Sequence, residues 1–563
     1  MSTLDWAVLA GWLAFIVAWG VWKGGRSRDS ESYLLAGREM RWGTVTLSIM
    51  ATQASAITFL STPGQAYADG MRFVQFYFGL PLAMIVLSVT AVPYYYRLKV
   101  TTAYELLEHR FDLKTRTLTS ALFLTQRGLA AGLTIYAPSL ILSVILGWEL
   151  GITIAVIGTM VVIYTASGGT RAVSRTHTLQ AAVILLGMAA AATVLTASLP
   201  DGVSLLDATR VAGAAGRLNA IDASFDPDDR YTLWSGLLGG TFLMLSYFGT
   251  DQSQVQRYLT GRSVAESRAG LLVNGLAKVP MQFAILFLGA MVFAFYQFSA
   301  PPVFFNPVEA GKARASAVGE RFAGLETAYA AAVAERGEAA RRLAGALRDG
   351  GGEAEARAAY AAAADRADAV RAEAIEVIRR ADPDANPSDT NYVFLSFVVT
   401  HLPAGLLGLV LAAVFAASMN ASSAELNALA ATTVVDVYRR HLRPHASEAQ
   451  VVRVSRLATV AWGVFAIVFA ESASRLGSLV EAVNILGSLF YGTILGVFLL
   501  AFYARRLSGT AVFVAALAAE ALVVACFAFT GISFVWYNLI GCAAVVALAY
   551  GLAPVLRRAP VAG

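Results

Sequence analysis

The sequence predicts an all-α polytopic membrane protein, and three observations carry that reading. Hydrophobic residues fill 57% of the 563 positions and charged ones only 14%, with a mean hydropathy of +0.60. Apolar runs of 17 to 25 residues recur from end to end, each close to the roughly 20 residues with which a helix spans hydrocarbon. Basic residues sit in short stretches between those runs, which is an orientation signal and not the continuous stripe that a nucleic acid needs. Helices follow because only helices and closed barrels satisfy every backbone group in lipid.

Thirteen spans are expected in order: 6–22, 44–68, 73–94, 117–147, 150–166, 177–199, 232–250, 270–299, 406–435, 452–470, 478–503, 508–530 and 533–556. The first, Trp6 to Val21, ends at Trp22 and Lys23 without a basic lead or a small-residue cleavage site, so it reads as a retained span. KGGRSRDSESYLLAGREMR, YRLKVTTAYELLEHRFDLKTR, SGGTRAVSRT, DQSQVQRYLTGRSVAESR, YRRHLRPHASEAQVVRVSR and YARR alternate with basic-poor loops. That alternation places the N-terminus outside and the C-terminus in the cytoplasm of a multi-pass inner or plasma membrane protein. The expected partners are membrane lipid and a small solute, and no nucleic acid.

Cys526 and Cys542 both lie in apolar runs, which leaves no disulfide framework or zinc spacing. A nucleotide loop, a metal cluster and a Ser/His/Asp arrangement are all missing from the sequence, so neither an enzyme nor a bound cofactor is expected. The segment from 312 to 380 departs from the membrane pattern, being rich in Ala, Glu and Arg, strong helix formers with opposite charges near i,i+4 spacing. With Gly350 to Gly352 as the turn and Pro383 and Pro387 closing it, it reads as an extramembrane helical hairpin. The domain plan is therefore a membrane core at 1–305 and 389–563, interrupted by an extracytoplasmic insertion at 306–388. That insertion is either a docking element for a partner or a solvated excursion tolerated in a surface loop.

Strongly polar side chains within spans are costly and mark an internal cavity or pathway by default. The second span holds Gln53, Ser55, Thr58, Ser61 and Thr62 ahead of Pro63 and Gly64, so this helix is expected to be interrupted, the proline disturbing the turn before it. Discontinuous helices at the midplane expose backbone groups that bind solute and ions in secondary transporters; the bland alternative is a kinked helix whose hydroxyls bond their own backbone. The span from Leu406 carries Asn420, Ser422, Ser423, Glu425 and Asn427, where tight helix packing competes with a binding role. Tyr247 stands two residues before Gly249, and Lys278 stands ahead of Pro280, where it either faces a cavity or snorkels to the interface. Arg127 offers a charged planar fork. It either binds an anionic solute or pairs with Glu425, Glu481 or a helix C-terminus.

At these motifs a resemblance emerges. YFGTDQSQVQRYLTGRS resembles the sixth core helix and following loop of the sodium/solute symporter family, whose members read as an aromatic, a glycine, then Asn-Gln, and end Val-Gln-Arg-Tyr. YTASGGTRAVSRTHTLQ is similar to that family's glycine-pair loop before the fifth core helix, and LNALAATTVVDVYRR to the end of its eighth. GSLFYGTILGVFLLAFY and VWYNLIGC match late spans, so the likeness covers nearly the whole chain except the hairpin. It implies a LeuT-type fold of two inverted five-helix repeats, with the first and sixth core helices broken at the site and span 6–22 an extra helix. It also implies cation-coupled symport, by Na+, through alternating access.

Carried over position by position, the family's sodium site falls on the carbonyls of Ala51, Ala54 and Ala417, with Asn420 and Ala421 where the family places two hydroxyls. The family's aspartate after Thr at the fifth core helix is replaced by His177 after Thr176. These departures remove oxygen ligands from a hard-cation site. They keep open a proton-coupled or uncoupled alternative, with His177 or Glu425 as the proton site, and a transporter-like membrane sensor is a third reading. For the solute, the positions matching sugar-carrying relatives are Ser55, Thr58, Tyr247, Lys278 and Asn484, with Gln53 and Arg127 added from their place in the spans. The glutamate-glutamine pair of sugar carriers is replaced by Ile57 and Thr58, while STPGQAYADG resembles the Pro-Ser-Glu-x-Tyr segment of the branch carrying monocarboxylates, vitamins and iodide. With Arg127 and Lys278 both in spans, the expected solute is a small organic anion.

Overall fold

A computed structural model of the protein describes residues 1–24, 30–53, 55–383, 385–473 and 478–556. Regular structure among these residues is helical, apart from one isolated bridge between Met40 and Gly261. The helices used below are α1 (Thr3–Gly24), α2 (Trp42–Gln53), α3 (Ala56–Asp69), α4 (Leu113–Leu146), α5 (Leu150–Ala197), α6 (Gly240–Gly249), α7 (Gln252–Leu259) and α8 (Val264–Phe298). After them come α9 (Gly319–Asp349), α10 (Glu353–Ala381), α11 (Thr390–His401), α12 (Leu406–Thr432), α13 (Glu448–Ser472), α14 (Leu479–Tyr503), α15 (Gly509–Phe529) and α16 (Phe534–Leu552).

Among the described residues nine helical stretches are long and apolar enough to cross a membrane, and Thr3–Ile16 and Leu150–Ala166 are shorter apolar helices. Some of the thirteen expected spans are interrupted, and two are joined in one helix. The span at 44–68 is two helices, α2 of 12 residues and α3 of 14. At about 1.5 Å per residue neither crosses the roughly 30 Å of hydrocarbon alone. The break falls before Ser55, which is extended (φ −78°, ψ 170°) and opens α3, whereas Pro63 lies inside α3. The proline is therefore not the break. Conversely, the spans at 150–166 and 177–199 are the two ends of one 48-residue helix, α5. The intervening SGGTRAVSRT holds two glycines but no proline, and about 1 kcal/mol per glycine does not stop a helix.

The second interruption separates α6 from α7, with Thr250 (φ −130°) and Asp251 (ψ 118°) non-helical between them. Helix ends leave carbonyls and amides unpaired, and here tyrosines from the 91–104 region supply the partners. Tyr95 donates its hydroxyl to the Gly249 carbonyl at 2.6 Å and Tyr104 to that of Thr250 at 3.0 Å. Asp251 caps α7 by accepting from the Ser253 amide and hydroxyl on Oδ1, at 2.8 and 2.7 Å. Every residue of α7 is buried, so the stretch DQSQVQRYL expected as part of a basic loop is instead a half-helix inside the bundle.

Helix α12 is buried almost throughout and packs on α4, α5 and α13, with α2 and α3 against it as well. Its N-terminus is tied to α1 by Asp5, whose Oδ1 accepts from the amides of Gly405 and Gly408 at 2.7 and 2.9 Å. Close approach of α3 to α8 and α11 depends on glycine. A Cβ at Gly64 would lie 1.9 Å from the Thr390 carbonyl oxygen, and one at Gly289 would lie 2.2 Å from that of Pro63.

Helices α9 and α10 form the hairpin, turning at Gly350 (φ +74°) and Gly352 (φ +68°), a left-handed conformation suited to glycine. The hairpin folds back on its own chain. Tyr360 donates to Gln297 at 2.9 Å, Arg336 to the Tyr296 carbonyl at 2.8 Å, and Arg348 to Asp207 at 2.6 Å. This departs from a merely solvated excursion, because aromatic and guanidinium groups on its inner face found partners on α8.

Asp207 sits outside the spans, in the short helix Leu205–Ala214. Burial pushes its carboxyl up, but hydrogen bonds from Arg348 and Ser204 outweigh this and hold it down at about 2. A lowered folded pKa gives stability that is complete above the unfolded value of about 3.9 and is lost as the pH falls towards 2. Hairpin docking is therefore expected to be indifferent to pH between about 5 and 8. Asp207→Asn should speed tryptic cleavage within α9 and α10 at pH 7 by about twofold, modest because Arg348 is half exposed. An unchanged cleavage rate would contradict the latch.

Candidate functional site

Between the two interruptions lies a cavity of about 110 Å³. The cavity brings together Gln53, Ser55, Thr58, Arg127, Tyr247, Lys278 and Asn484, every residue expected to face the solute. Thr52, Phe76, Tyr77, Leu243, Met244 and Tyr491 complete much of the wall, and none of these was singled out from the sequence.

Several of the polar groups are already committed to their own helices or neighbours. Thr58 Oγ1 donates to the Gln53 carbonyl freed by the first break, at 3.1 Å, and Gln53 Nε2 donates to Asn274 Oδ1 at 2.9 Å. Asn484 Nδ2 donates to the Val480 carbonyl at 2.8 Å. The Tyr247 hydroxyl accepts from Gln254 at 2.6 Å. Ser55 makes no cap bond with its side chain, and its hydroxyl has no hydrogen bond among the described residues.

Arg127 is 3% exposed and is held by two carboxylates. Nη1 donates to Glu425 Oε1 at 2.9 Å, while Nη2 donates to Asp251 Oδ2 and, at 2.6 Å, to the Tyr491 hydroxyl. Tyr491 in turn donates to Asp251 Oδ2 at 2.9 Å, closing the network. Asp251 thus uses one oxygen to cap α7 and the other to bind Arg127. Of the two readings of Arg127, the structure shows the pairing with Glu425. Glu481 pairs elsewhere, with Arg230 at 2.6 Å and Tyr231 at 3.0 Å.

Lys278 is the contrasting cation. It is 1% exposed and lies mid-helix in the 35-residue α8, so it does not snorkel. Its Nζ stands 5.6 Å from the centre of the Tyr77 ring, a cation–π distance. No ion-pair partner of Lys278 exists among the described residues. The cavity therefore presents one free ammonium, while the guanidinium is already neutralised.

Of the positions expected at the ion, Ala51, Ala417, Asn420 and Ala421 are all buried, and α12 packs on α2. Ala421 reaches the cavity wall. Both amide atoms of Asn420 are buried without a hydrogen-bond partner among the described residues, an oxygen of the kind a hard cation takes. Ala54 lies outside the described residues, as does the side chain of His177. Glu425 borders the cavity near Thr134, and its Oε2 is buried without a hydrogen bond of ordinary length among the described residues. Towards the hairpin, Ser61 bonds Ser478 at 3.2 Å and Ser478 donates to Gln65 at 3.0 Å, tying α3 to the start of α14.

Comparison with known proteins places these features in a wider set. The profile of the sodium:solute symporter family matches residues 33–334 and 381–519. The human sodium/iodide cotransporter is 32% identical over 299 residues, 52% of this chain and 45% of that protein. The rabbit (Oryctolagus cuniculus) sodium-dependent multivitamin transporter is 27% identical over 509 residues, 89% of this chain and 66% of the relative. The human sodium-coupled monocarboxylate transporter 1 is 32% identical over 295 residues, 52% and 48% of the two chains. The chain spans about half to two thirds of the length of these relatives. A solved structure of a Na+-coupled sialic acid symporter, in a substrate-bound outward-open state, superposes with a TM-score of 0.76 at 22% identity, covering 99% of this chain and 98% of that one. That likeness gives the fold, the broken-helix arrangement expected of a LeuT-type bundle.

Proposed function

The chain belongs to the sodium:solute symporter family, and from that premise we propose that it is a secondary active transporter coupling Na+ entry to uptake of a small monoanion by alternating access. The observation that carries this reading is the convergence of seven polar side chains, from helices far apart in the sequence, on one buried cavity between two interrupted helices. Size supports a solute of few atoms, since about 110 Å³ is less than the ~150 Å³ that hold a benzene. Two of the three relatives are named for a monoanion, iodide or a monocarboxylate. Lys278 is the seat for that charge, and Ser55 lines the same cavity.

Charge balance supports coupling. Arg127 and Lys278 face Asp251 and Glu425, two formal positive charges against two negative. An anion arriving alone leaves a buried net charge, and a cation entering with it removes that cost. One Na+ per monoanion is electroneutral, so a tenfold Na+ gradient, about 1.4 kcal/mol, supports tenfold accumulation. A second Na+ would add about 2.3 kcal/mol per 100 mV of membrane potential. The ion seat drawn from the described residues is Asn420 Oδ1 with the carbonyls of Ala51 and Ala417, all three residues buried. The membrane core is 1–305 and 389–563, with the insertion at 306–388 on the extracytoplasmic face and the C-terminus in the cytoplasm, as the basic loops favour.

The test is uptake of labelled lactate into proteoliposomes under separately imposed Na+ and H+ gradients. Accumulation above equilibrium is expected with inward Na+ alone, and Asn420→Ala should raise the half-saturating Na+ concentration at least about tenfold, the loss of one charged-group contact. Uptake indifferent to both gradients would remove coupling. Proton coupling is the second reading, favoured by the missing hydroxyls at 420 and 421 and by the buried Glu425 Oε2. On that reading an H+ gradient suffices and Glu425→Gln uncouples.

A further inference from the structure

A second cavity, of about 440 Å³, lies between the hairpin and helices α3, α8 and α11, and no residue lines both cavities. Three guanidinium groups reach it, from Arg217, Arg336 and Arg371. Arg371 is neutralised by Asp389, with both carboxylate oxygens bound at 2.6 and 2.7 Å. The other two have no carboxylate within ion-pair distance among the described residues. Arg336 is 5% exposed and donates Nη2 to the Tyr296 carbonyl at 2.8 Å, while its Nε is buried without a partner. Arg217 lies over the Phe293 ring at 4.7 Å and donates Nη1 to the Ala68 carbonyl; its Nε too is buried and unpartnered. A buried guanidinium without a counter-ion, as at Arg336, is costly, whereas Arg217 is half-buried. Against Arg217, Arg336 and Arg371, the wall sets Asp368 and Asp389, and Asp69, just off the wall, interacts electrostatically with Arg217.

We propose that this cavity binds a small organic carboxylate, with Arg217 and Arg336 gripping the carboxylate and Phe293, Tyr67, Tyr329 and Tyr360 enclosing its apolar part. Guanidinium forks match carboxylate geometry, and aromatic walls favour a ligand with an apolar body over a bare inorganic anion. The site belongs to the insertion. Arg336, Tyr360, Asp368 and Arg371 fall between 334 and 381, the stretch that the family profile does not match. Tyr67 stands on α3, whose opposite end carries Thr58 at the central cavity, so an occupant here touches the helix that also faces the transported solute.

The test is equilibrium binding of labelled benzoate, too large for the central cavity, to the purified full-length protein. Saturable binding near one per chain is expected, unchanged in Lys278→Gln and at least tenfold weaker in Arg217→Gln. Arg217→Lys, which keeps the charge but not the fork, should weaken binding about threefold, and Arg336→Gln is read only alongside an unchanged melting temperature. Absence of saturable benzoate binding overturns the site, as does binding that survives Arg217→Gln. Displacement by inorganic phosphate as effective as by unlabelled benzoate overturns the carboxylate assignment. These outcomes are independent of Na+-driven uptake, because Lys278 does not line this cavity.

Discussion

Arg127→Gln is expected to strip most folded protein from the membrane fraction, leaving little to assay for transport. The substitution leaves Asp251 and Glu425 as two buried carboxylates without their shared cation. Breaking a buried pair by removing one partner costs about 3–5 kcal/mol, a large part of the roughly 5–15 kcal/mol that holds a domain together. It also frees Tyr491 and disturbs the Asp251 cap on α7. The triple variant Arg127→Gln, Asp251→Asn, Glu425→Gln removes the charges together and should recover the wild-type yield and melting temperature by size-exclusion chromatography. A single variant that melts like wild type would mean that the network is not structural and that Arg127 is free to bind solute.

Lys278→Gln is expected to do the opposite, sparing the fold and abolishing high-affinity uptake. Lys278 has no counter-ion to strand, so its removal relieves a buried charge. A hydrogen bond to a charged group contributes about 1.5–3 kcal/mol, which is about ten- to a hundredfold in the apparent affinity for a monoanion. The check is KM for labelled lactate at saturating Na+, together with the melting temperature. An unchanged KM would leave the cavity without an anion seat.

These two expectations show where sequence reasoning reached and where it stopped. Polar groups in a span must face a cavity or one another, and the family resemblance assigned five of them, Asn484 on that ground alone, to the solute; with Gln53 and Arg127 they line a single wall. That a helix breaks within SIMATQASAITFLSTPGQAYADG was expected, but on the strength of Pro63 and the polar residues ahead of it. The place of the break was not, because Pro63 is tolerated inside α3 while Ser55 opens it. The partner of Arg127 was half hidden. Glu425 was a candidate, but Asp251 sits in DQSQVQRY, a polar stretch whose hydrophilicity reads as loop until the fold buries it. Its replacement of the family's asparagine was the one available signal, a charge change that complements Arg127. Tyr491 carried no such mark, lying 364 positions from the arginine that it bonds.

The hairpin illustrates the same limit. Its two helices and glycine turn follow from composition, since Ala, Glu and Arg favour helix and Gly350 and Gly352 adopt positive φ. Its inner face does not, because the partners of Arg336 and Tyr360 lie on α8, far back in the chain. Likewise the fusion of two spans into α5 came from a glycine pair too weak to end a helix.

The central claim is that the transported anion sits against Lys278 and not against Arg127. The most direct measurement is anomalous diffraction from crystals of the protein grown with Na+ and iodide, the simplest small monoanion. The account predicts one strong peak in the central cavity, within about 4 Å of Lys278 Nζ, the range of a charged contact, and lost in Lys278→Gln. A peak between Arg127 and Tyr491 with Asp251 displaced, or a central cavity without any peak while uptake proceeds, would contradict it.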